Sequence, residues 1–372
     1  MKIGLHINDF TWEGGPPGLR ARLGEVASKA EDAGVDRISV MDHMWQIGHN
    51  GPPEHEMLEA YTTLGWLAAV TQRVRLLTVV TAVVYRDPGL LAKAVTTLDV
   101  LSGGRAMLGI GAAWNEAEAS GLGLFFPPLA ERYERLDEAL RVCQQMWSGD
   151  DGPFDGKFYH LGRTLNSPQS LSRPHPPILI GGAGERKTLR LVARYADACN
   201  IFDSPELGHK LDVLREHCAA EGRDYADIEK TAQLRFDLGD NGERVEQTIE
   251  HLHELSELGI TVAHGAVTNV GTLRPPRPDG GAGDPGHREV LTAGPPRPPL
   301  AVRRWPPAHG SPPRLPTARR PVRPWPTASS APGPPPRPPP AHRLARWLAC
   351  RAVDVLVTDR PSRAAAIRAS PN

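Results

Sequence analysis

The chain has 372 residues with 43 basic and 43 acidic side chains, so its formal net charge is zero. This length allows one large domain or two. The four cysteines lack the spacing of a metal or redox site, which argues against a protein built around disulfides or a zinc cluster. No apolar run approaches the ~20 residues of a membrane span, and the first residues resemble a strand rather than a signal peptide. We therefore expect a cytoplasmic protein without a membrane partner.

The zero net charge averages two unlike parts of the chain. Residues 271–372 contain 17 arginines, no lysine, five acidic residues and 25 of the 38 prolines, and they lack Phe and Tyr. Such a segment buries too little apolar surface to offset the entropy lost on ordering. We predict a folded domain in residues 1–270 and a disordered, low-complexity Pro/Arg-rich tail in residues 271–372.

The composition of this tail allows two origins. Arg, Pro, Ala and Gly have GC-rich codons, and a basic tail selected for its charge would be expected to contain lysine. We hypothesise that the ending is out of frame; a genuine basic tail is the alternative. A nucleic-acid contact would follow from charge alone, but we do not expect nucleic acid as a partner.

Strand-like and helix-like segments alternate through residues 1–270, which is typical of parallel α/β proteins. We predict eight strands, at residues 3–7, 37–41, 74–84, 105–111, 178–180, 196–202, 230–238 and 259–264. The predicted helices cover residues 19–33, 61–70, 88–101, 130–147, 188–195, 207–221 and 245–258. Residues 149–176, rich in Gly, Pro and Ser, are predicted to be an insertion before the fifth strand, over one end of the fold.

Eight strand–helix units within residues 1–270 indicate a TIM (β/α)8 barrel, which typically takes ~250 residues. A doubly wound sheet is the alternative, but it would carry a GxGxxG turn after the first strand, where this chain has none. In a barrel, functional groups gather past the carboxyl ends of the strands. Candidate functional groups at those positions are His6, Asn8, Asp42, His43, Trp114, Asn115, Glu116, Asn200, Asp203 and His264.

Asp42 and His43 form the strongest catalytic candidate. Histidine titrates near neutral pH and suits general acid–base work. An adjacent carboxylate could set its tautomer, but neighbouring strand positions face opposite ways, so direct pairing with Asp42 stays open. The alternative is a surface loop histidine. His6 and His264 are at least as well explained as interior histidines. A metal site in the loop that contains Glu54, His55, Glu56 and His49 is not expected, since the spacing fits no closed site.

Trp114 and Asn115 follow a Gly-Ile-Gly strand end. A flat aromatic side chain beside polar groups suits a ring-shaped ligand. The alternative is a helix-capping Asn and a packing Trp.

A glycine turn joins the fifth predicted strand to its helix. Gly181, Gly182 and Gly184 permit a tight turn and a close backbone approach to a ligand. The free N–H groups of the helix that follows would form an anion site, with Arg186 and Lys187 adding positive charge. The spacing matches neither a Walker loop nor a full GxGxxG, so the alternative is a turn that only connects the strand to the helix.

Several motifs together resemble one family. They are the runs GIGAAWNEAE at 109–118, FDGKFY at 154–159, NSPQ at 166–169, RPHPPILIGG at 173–182 and YADACN at 195–200. With the Asp-His pair at 42–43, these runs resemble the luciferase-like monooxygenase family, and within it the branch that depends on coenzyme F420. The resemblance covers residues 1–270.

The resemblance implies a TIM barrel that binds a flavin or deazaflavin in its mouth. It places Thr78, Val79 and Thr81 along the cofactor ring, near a non-prolyl cis peptide bond, and Asn115 in contact with the cofactor. Gly181, Gly182 and the turn after them would hold the cofactor phosphate. His43 would lie at the reactive face. It also implies a possible homodimer.

The activity implied is hydride transfer between F420 and a small organic substrate. An FMN-dependent monooxygenase that uses oxygen is the first alternative. The second is an inactive barrel, because the tail replaces the helix that closes the barrel in this family.

Overall fold

The computed structural model describes residues 1–239 and 242–267. The tail at 271–372 lies outside these residues, together with the predictions about its disorder and its reading frame. Within residues 1–239 and 242–267, no helix combines the length and the apolar composition needed to cross a bilayer.

One parallel sheet of nine strands forms the centre of the fold. Its strands are β1 Lys2–Ile7, β2 Arg37–Val40, β3 Arg75–Thr78, β4 Thr81–Ala82, β5 Leu108–Gly111, β8 Ile178–Gly181, β9 Ala198–Phe202, β10 Glu229–Phe236 and β11 Val262–Val267. Their order in the sheet is β3-β2-β1-β11-β10-β9-β8-β5-β4. A bridge between Leu76 and Ala106 brings β3 beside the segment that leads into β5, so the two edges of the sheet meet. The TIM barrel is therefore confirmed, and the doubly wound alternative is wrong.

The helices cover the outside of this barrel. They are α1 Gly15–Asp32, α2 Ala60–Val70, α3 Pro88–Ser102, α4 Glu116–Gly121, α5 Leu129–Ser148, α6 Thr188–Tyr195, α7 Leu207–Ala220 and α8 Val245–Glu257, with a 3-10 turn at Tyr225–Asp227. In α5 the buried residues Leu136, Leu140, Cys143 and Trp147 recur at intervals of three or four. That spacing places them on one face, which packs against the core.

Two sequence predictions needed refinement, and one helix was missed. The predicted strand 74–84 is two strands, β3 and β4, separated at the cis Val79–Val80 peptide bond. The predicted insertion 149–176 contains a small antiparallel hairpin, β6 Phe154–Asp155 and β7 His160–Leu161. The short helix α4 was not predicted, because it is shorter than the apolar period from which a helix can be recognised.

The interior of the barrel has an apolar and a polar side. Leu77, Met107, Leu179 and Ala198 pack together on the apolar side. The polar side contains His6, Ser39, Thr231 and His264, all buried. At the amino end of the strands, Arg37 is fully buried and donates to both oxygens of Glu229, at 2.6 and 3.1 Å. This pairing satisfies a charge that would be costly to bury alone.

Candidate active site

A cavity of about 750 Å³ opens at the carboxyl ends of the strands. Most of the predicted site residues lie in its wall: Asp42, His43, Val79, Thr81, Trp114, Asn115, Gly181, Gly182 and Gly184. Thr78, Arg186 and Lys187 are not part of that wall. Thr78 lies just below the surface of the cavity, where its hydroxyl contacts the Thr81 hydroxyl at 2.8 Å.

His43 is held from behind by a carboxylate that the sequence did not single out. Its Nδ1 lies 2.6 Å from Oε2 of Glu118, which comes from α4. The ring edge meets the exposed indole of Trp114, with the ring centroids 5.6 Å apart. In the described part of the chain, Nε2 of His43 has no hydrogen-bond partner. The arrangement leaves that nitrogen available to a ligand in the cavity.

Glu118 is only 1% exposed, yet it is fully hydrogen-bonded. Besides His43, its oxygens accept from the amides of Met44 and Trp45 and from the side chains of Tyr85 and Asn115. Burial by itself would raise the pKa of the Glu118 carboxyl, but the bonds to His43 and to the two backbone amides outweigh burial and lower that pKa. The carboxylate is therefore ionised at neutral pH.

A local signal for Glu118 was present in the sequence. Asn115 is the N-cap of α4, and its side chain accepts from the backbone N–H of Glu118, three residues later. A capping residue followed three residues later by Glu is a known start of a helix. The pattern marks Glu118 as part of a helix start, but it does not predict that the side chain contacts His43, 75 residues away in the chain.

Asp42 does not pair with His43, which answers the question left open by the sequence. Its two oxygens accept from Nη1 and Nη2 of Arg86, at 2.6 and 2.9 Å. Arg86 also contacts Glu59 at 2.5 Å. Burial raises the pKa of the Asp42 carboxyl, and the ion pair with Arg86 opposes that effect. The neighbouring carboxylate thus anchors the loop after β4, and Glu118 takes the position beside the histidine.

The floor of the cavity includes Val79 and Val80, which are joined by a cis peptide bond at the place the resemblance implied. The Val80 side chain lies over two glycines. A Cβ at Gly111 would come within 2.8 Å of it, and a Cβ at Gly181 within 2.6 Å. Since any larger residue would collide with Val80, the two glycines create a smooth apolar surface against which a flat ring can lie.

The glycine turn after β8 forms the part of the cavity wall that follows the floor residue Gly181. Gly182 has a φ of 124°, which is readily adopted only by glycine. Among residues the structure describes, the amides of Ala183, Gly184 and Glu185 have no acceptor. Thr188, the first residue of α6, bonds Tyr133 at 2.8 Å beside this turn. Free amides at a helix start suit a phosphate.

Arg186 and Lys187 do not line the cavity. Both are exposed, and the ammonium of Lys187 lies over the ring of Tyr133, 5.4 Å from its centroid. The proposed anion site is therefore made of backbone N–H groups and hydroxyls, and the two basic side chains are not part of its wall.

Three further histidine and carboxylate candidates differ in position. His6 lines the cavity floor and contacts Ser39 at 2.9 Å; burial, assisted by His43, lowers the pKa of His6 to about 4. Asp203 pairs with His251 instead, at 2.7 Å. His264 lies inside β11 rather than after it, fully buried, with neither ring nitrogen bonded to any described residue. Burial, followed by the charge of Arg37, lowers the pKa of His264 well below its usual value.

Comparison with known proteins places this geometry in a family. A family model described as luciferase-like monooxygenase matches residues 1–279. The F420-dependent glucose-6-phosphate dehydrogenase of Kineococcus radiotolerans is 33% identical over 253 residues, which is 64% of this chain and 70% of that protein. An uncharacterised protein of Mycobacterium tuberculosis is 35% identical over 168 residues, 45% of this chain, and the match spans 58% of that protein's length.

A solved structure agrees on the fold. The monooxygenase RslO1 from Streptomyces bottropensis superimposes with a TM-score of 0.61 at 19% identity, over 72% of this chain and 92% of that one. At this identity the likeness concerns the fold alone. The family match, the relatives and the barrel with its open mouth lead to one conclusion: the chain belongs to the luciferase-like monooxygenase family.

Proposed function

We propose that this chain is an oxidoreductase that uses coenzyme F420 to move a hydride to or from a carbon of a small organic substrate. His43 gives or takes the accompanying proton. The observation that carries the proposal is the ring of His43 in the cavity wall, tied at Nδ1 to Glu118 and unpartnered at Nε2 in the described structure. The name of the relative from Kineococcus radiotolerans supports F420 as the cofactor.

The residues present fit such a cofactor. The apolar floor at Val79–Val80, where a Cβ on Gly111 or Gly181 would collide with Val80, suits a flat tricyclic ring. The unpaired amides after Gly182 suit a phosphate in the same cavity. When bound, the deazaflavin supplies the hydride acceptor or donor. The chain supplies binding, orientation and proton transfer.

The proton step follows from the state of the histidine. With Nδ1–H donating to an ionised Glu118, the neutral ring of His43 has its lone pair on Nε2. That lone pair accepts the hydroxyl proton as an alcohol is oxidised. In the reverse direction, the protonated ring donates from Nε2 to the carbonyl oxygen. A positioned acid–base group of this kind contributes about 10²- to 10⁴-fold to rate.

Anaerobic turnover with F420 tests the proposal. The purified protein is mixed with oxidised F420 and a panel of primary and secondary alcohols, among them glucose 6-phosphate, and the loss of F420 absorbance is followed. The reverse panel pairs reduced F420 with ketones and enones. A parallel reaction contains reduced FMN and oxygen, with an oxygen electrode. We expect F420 turnover with at least one substrate, and loss of that turnover in His43→Gln.

The two alternatives are separate outcomes of the same experiment. Oxygen uptake coupled to FMN, without any F420 turnover, would identify a flavin monooxygenase and reject the proposal. Binding of F420 without turnover in either direction would point to an inactive barrel. The homodimer stays a prediction, which the mass measured by light scattering would decide.

A further inference from the structure

We infer that Glu118 is a positioning residue that determines which ring nitrogen of His43 carries the proton. The inference rests on the proposed function, in which His43 acts through Nε2. It concerns this chain's own residues and can be tested without any cofactor.

The two oxygens of Glu118 have different partners. Oε1 accepts from two backbone amides, those of Met44 and Trp45, the second at 3.0 Å. Oε2 lies 2.6 Å from Nδ1 of His43, 2.9 Å from the Tyr85 hydroxyl and 3.1 Å from the Asn115 amide nitrogen. An ionised carboxylate can only accept hydrogen bonds, so the nitrogen of His43 that faces it must be the donor.

This division of partners determines how an amide would be oriented in place of the carboxylate. The backbone amides of Met44 and Trp45 are donors and cannot become acceptors, so an acceptor oxygen must stay at Oε1. Two of the partners at Oε2 are adjustable, because the ring of His43 can exchange tautomers and the Tyr85 hydroxyl can rotate. The third, the NH₂ of Asn115, only donates, so its contact is the one that an amide at Oε2 would lose. Replacement of the carboxylate by its amide isostere therefore changes the hydrogen bonds at Oε2 and leaves those at Oε1 in place.

The substitution Glu118→Gln uses this asymmetry. The new amide keeps its oxygen against the two backbone N–H groups and turns its NH₂ toward Nδ1 of His43. An NH₂ group only donates, so Nδ1 must become the acceptor and the ring proton moves to Nε2. The reversed orientation would set the NH₂ against both backbone N–H groups, which is costlier than the single donor–donor contact with Asn115 in the first orientation. The ring keeps its place but presents the wrong nitrogen, a defect that is known to disable catalytic histidines in other enzymes.

Nitrogen NMR of the ring reads this directly. The protein is labelled with ¹⁵N-histidine and studied without cofactor at neutral pH, and the signals of residue 43 are assigned by their absence in His43→Gln. We expect wild type to carry the proton on Nδ1, and Glu118→Gln to carry it on Nε2. Glu116→Gln is the matched control, because Glu116 starts the same helix but lies outside the cavity wall, and its exposed side chain has no hydrogen-bond or ion-pair partner in the described residues. Its tautomer should equal that of wild type.

The kinetic consequence separates positioning from a merely structural role. Glu118→Gln should lower kcat with F420 by about 100-fold or more, while the Kd of F420 stays at the wild-type value. Glu116→Gln should leave both unchanged. A loss of F420 binding in parallel with kcat would instead mean that Glu118 only holds the cavity together, and would overturn the inference.

The NMR spectra test the role of Glu118 even if the protein shows no enzymatic activity. A proton on Nε2 in wild type overturns the inference, and so does an unchanged tautomer in Glu118→Gln. If Glu118→Gln does not fold, the wild-type spectrum still tests the inference, because a ring proton on Nε2 would contradict it. A tautomer exchange in a protein that turns over no F420 would sustain the role of Glu118 and reject the proposed function. F420 turnover together with an unchanged tautomer in Glu118→Gln would sustain the proposed function and reject the role of Glu118.

Discussion

One guanidinium holds both oxygens of Asp42: Nη1 of Arg86 lies 2.6 Å from Oδ2, and Nη2 lies 2.9 Å from Oδ1. Asp42 precedes His43 in the chain, but its side chain faces Arg86 and the amide of Ala82. The pair ties the end of β2 to the loop after β4. The carboxylate next to the histidine in sequence is therefore a structural anchor for the site, and the distant Glu118 contacts the ring.

We predict that Asp42→Asn affects stability more than chemistry. The side chain of Asp42 is fully buried and that of Arg86 is 11% exposed, so removal of one partner leaves a poorly compensated charge. Such changes cost about 3–5 kcal/mol in buried pairs, and the remaining contact of Arg86 with Glu59 reduces the loss toward the lower figure. Urea unfolding should show the decrease. A variant of wild-type stability whose kcat collapses would instead show that Asp42 takes part in the reaction.

The cavity floor should tolerate no side chain at Gly181. A Cβ there would lie 2.6 Å from Cγ1 of Val80, and overpacking of this kind costs about 1–3 kcal/mol. We expect Gly181→Ala to displace Val80 and to weaken F420 binding by about tenfold or more, which corresponds to ~1.4 kcal/mol. Fluorescence titration of F420 measures the change.

Two companion variants make this prediction specific. Val80→Ala combined with Gly181→Ala removes the collision and should restore binding. Gly162→Ala is the control, because nothing lies within 4 Å of a Cβ at that position. If the double variant binds no better than Gly181→Ala, the floor is not shaped by this contact.

The anion site should depend on the glycine turn and not on the basic side chains beside it. In Gly184→Ala the new Cβ would lie 2.8 Å from the Thr188 hydroxyl and 3.0 Å from that of Tyr133. We expect this change to weaken F420 binding severalfold. Lys187→Gln and Arg186→Gln should alter it little, since both side chains lie outside the cavity wall. A larger loss of F420 affinity in either Gln variant than in Gly184→Ala would show that the basic side chains, and not the turn, bind the phosphate.

His6 should make the fold sensitive to acid. Burial, assisted by His43, lowers the pKa of His6 from 6.5 to about 4 in the folded chain. As the pH falls, the unfolded chain binds this proton before the folded chain does. The stability that the neutral, buried ring contributes is therefore fully present above pH 6.5 and is lost as the pH falls toward 4. A shift of this size is worth about 3 kcal/mol.

Urea unfolding between pH 7 and pH 4 would measure that contribution. We expect the free energy of unfolding of His6→Gln to fall less steeply than that of wild type, while the exposed-site variant His160→Gln keeps the wild-type slope. Some slope should remain in His6→Gln, because His264 is buried and its pKa is lowered as well. Parallel curves for wild type and His6→Gln would contradict the assignment.

The repeating pattern of the chain was enough to predict the barrel. Short apolar runs ended by Gly or Pro and followed by amphipathic helices locate most strands and helices to within a few residues. The break at Val79–Val80 could not be predicted from the pattern, since a run of β-branched residues favours a strand whichever isomer its peptide bonds adopt. The resemblance to a family, and not the local pattern, indicated that bond.

The site was predictable to the level of the strand ends. His43, Asn115 and the glycine turn lie around one cavity because parallel strands end on the same side of a barrel. The partners of charged groups were not predictable. Glu118 reaches His43, and Arg86 reaches Asp42, through contacts between distant segments whose side-chain directions depend on the assembled fold. Proximity in sequence favoured Arg186 and Lys187 for the phosphate, yet neither side chain lines the cavity, and their role stays a prediction.

A binding titration discriminates directly between F420 and FMN as the cofactor of this barrel. The purified wild-type protein is titrated with F420 and, under identical conditions, with FMN, and the Kd of each is measured by fluorescence. We predict that F420 binds with one molecule per cavity and that Gly181→Ala weakens this binding, whereas FMN binds more weakly than F420. Tighter binding of FMN than of F420, or F420 binding that is unaffected by Gly181→Ala, would contradict a deazaflavin held against Val80 in the mouth of this barrel.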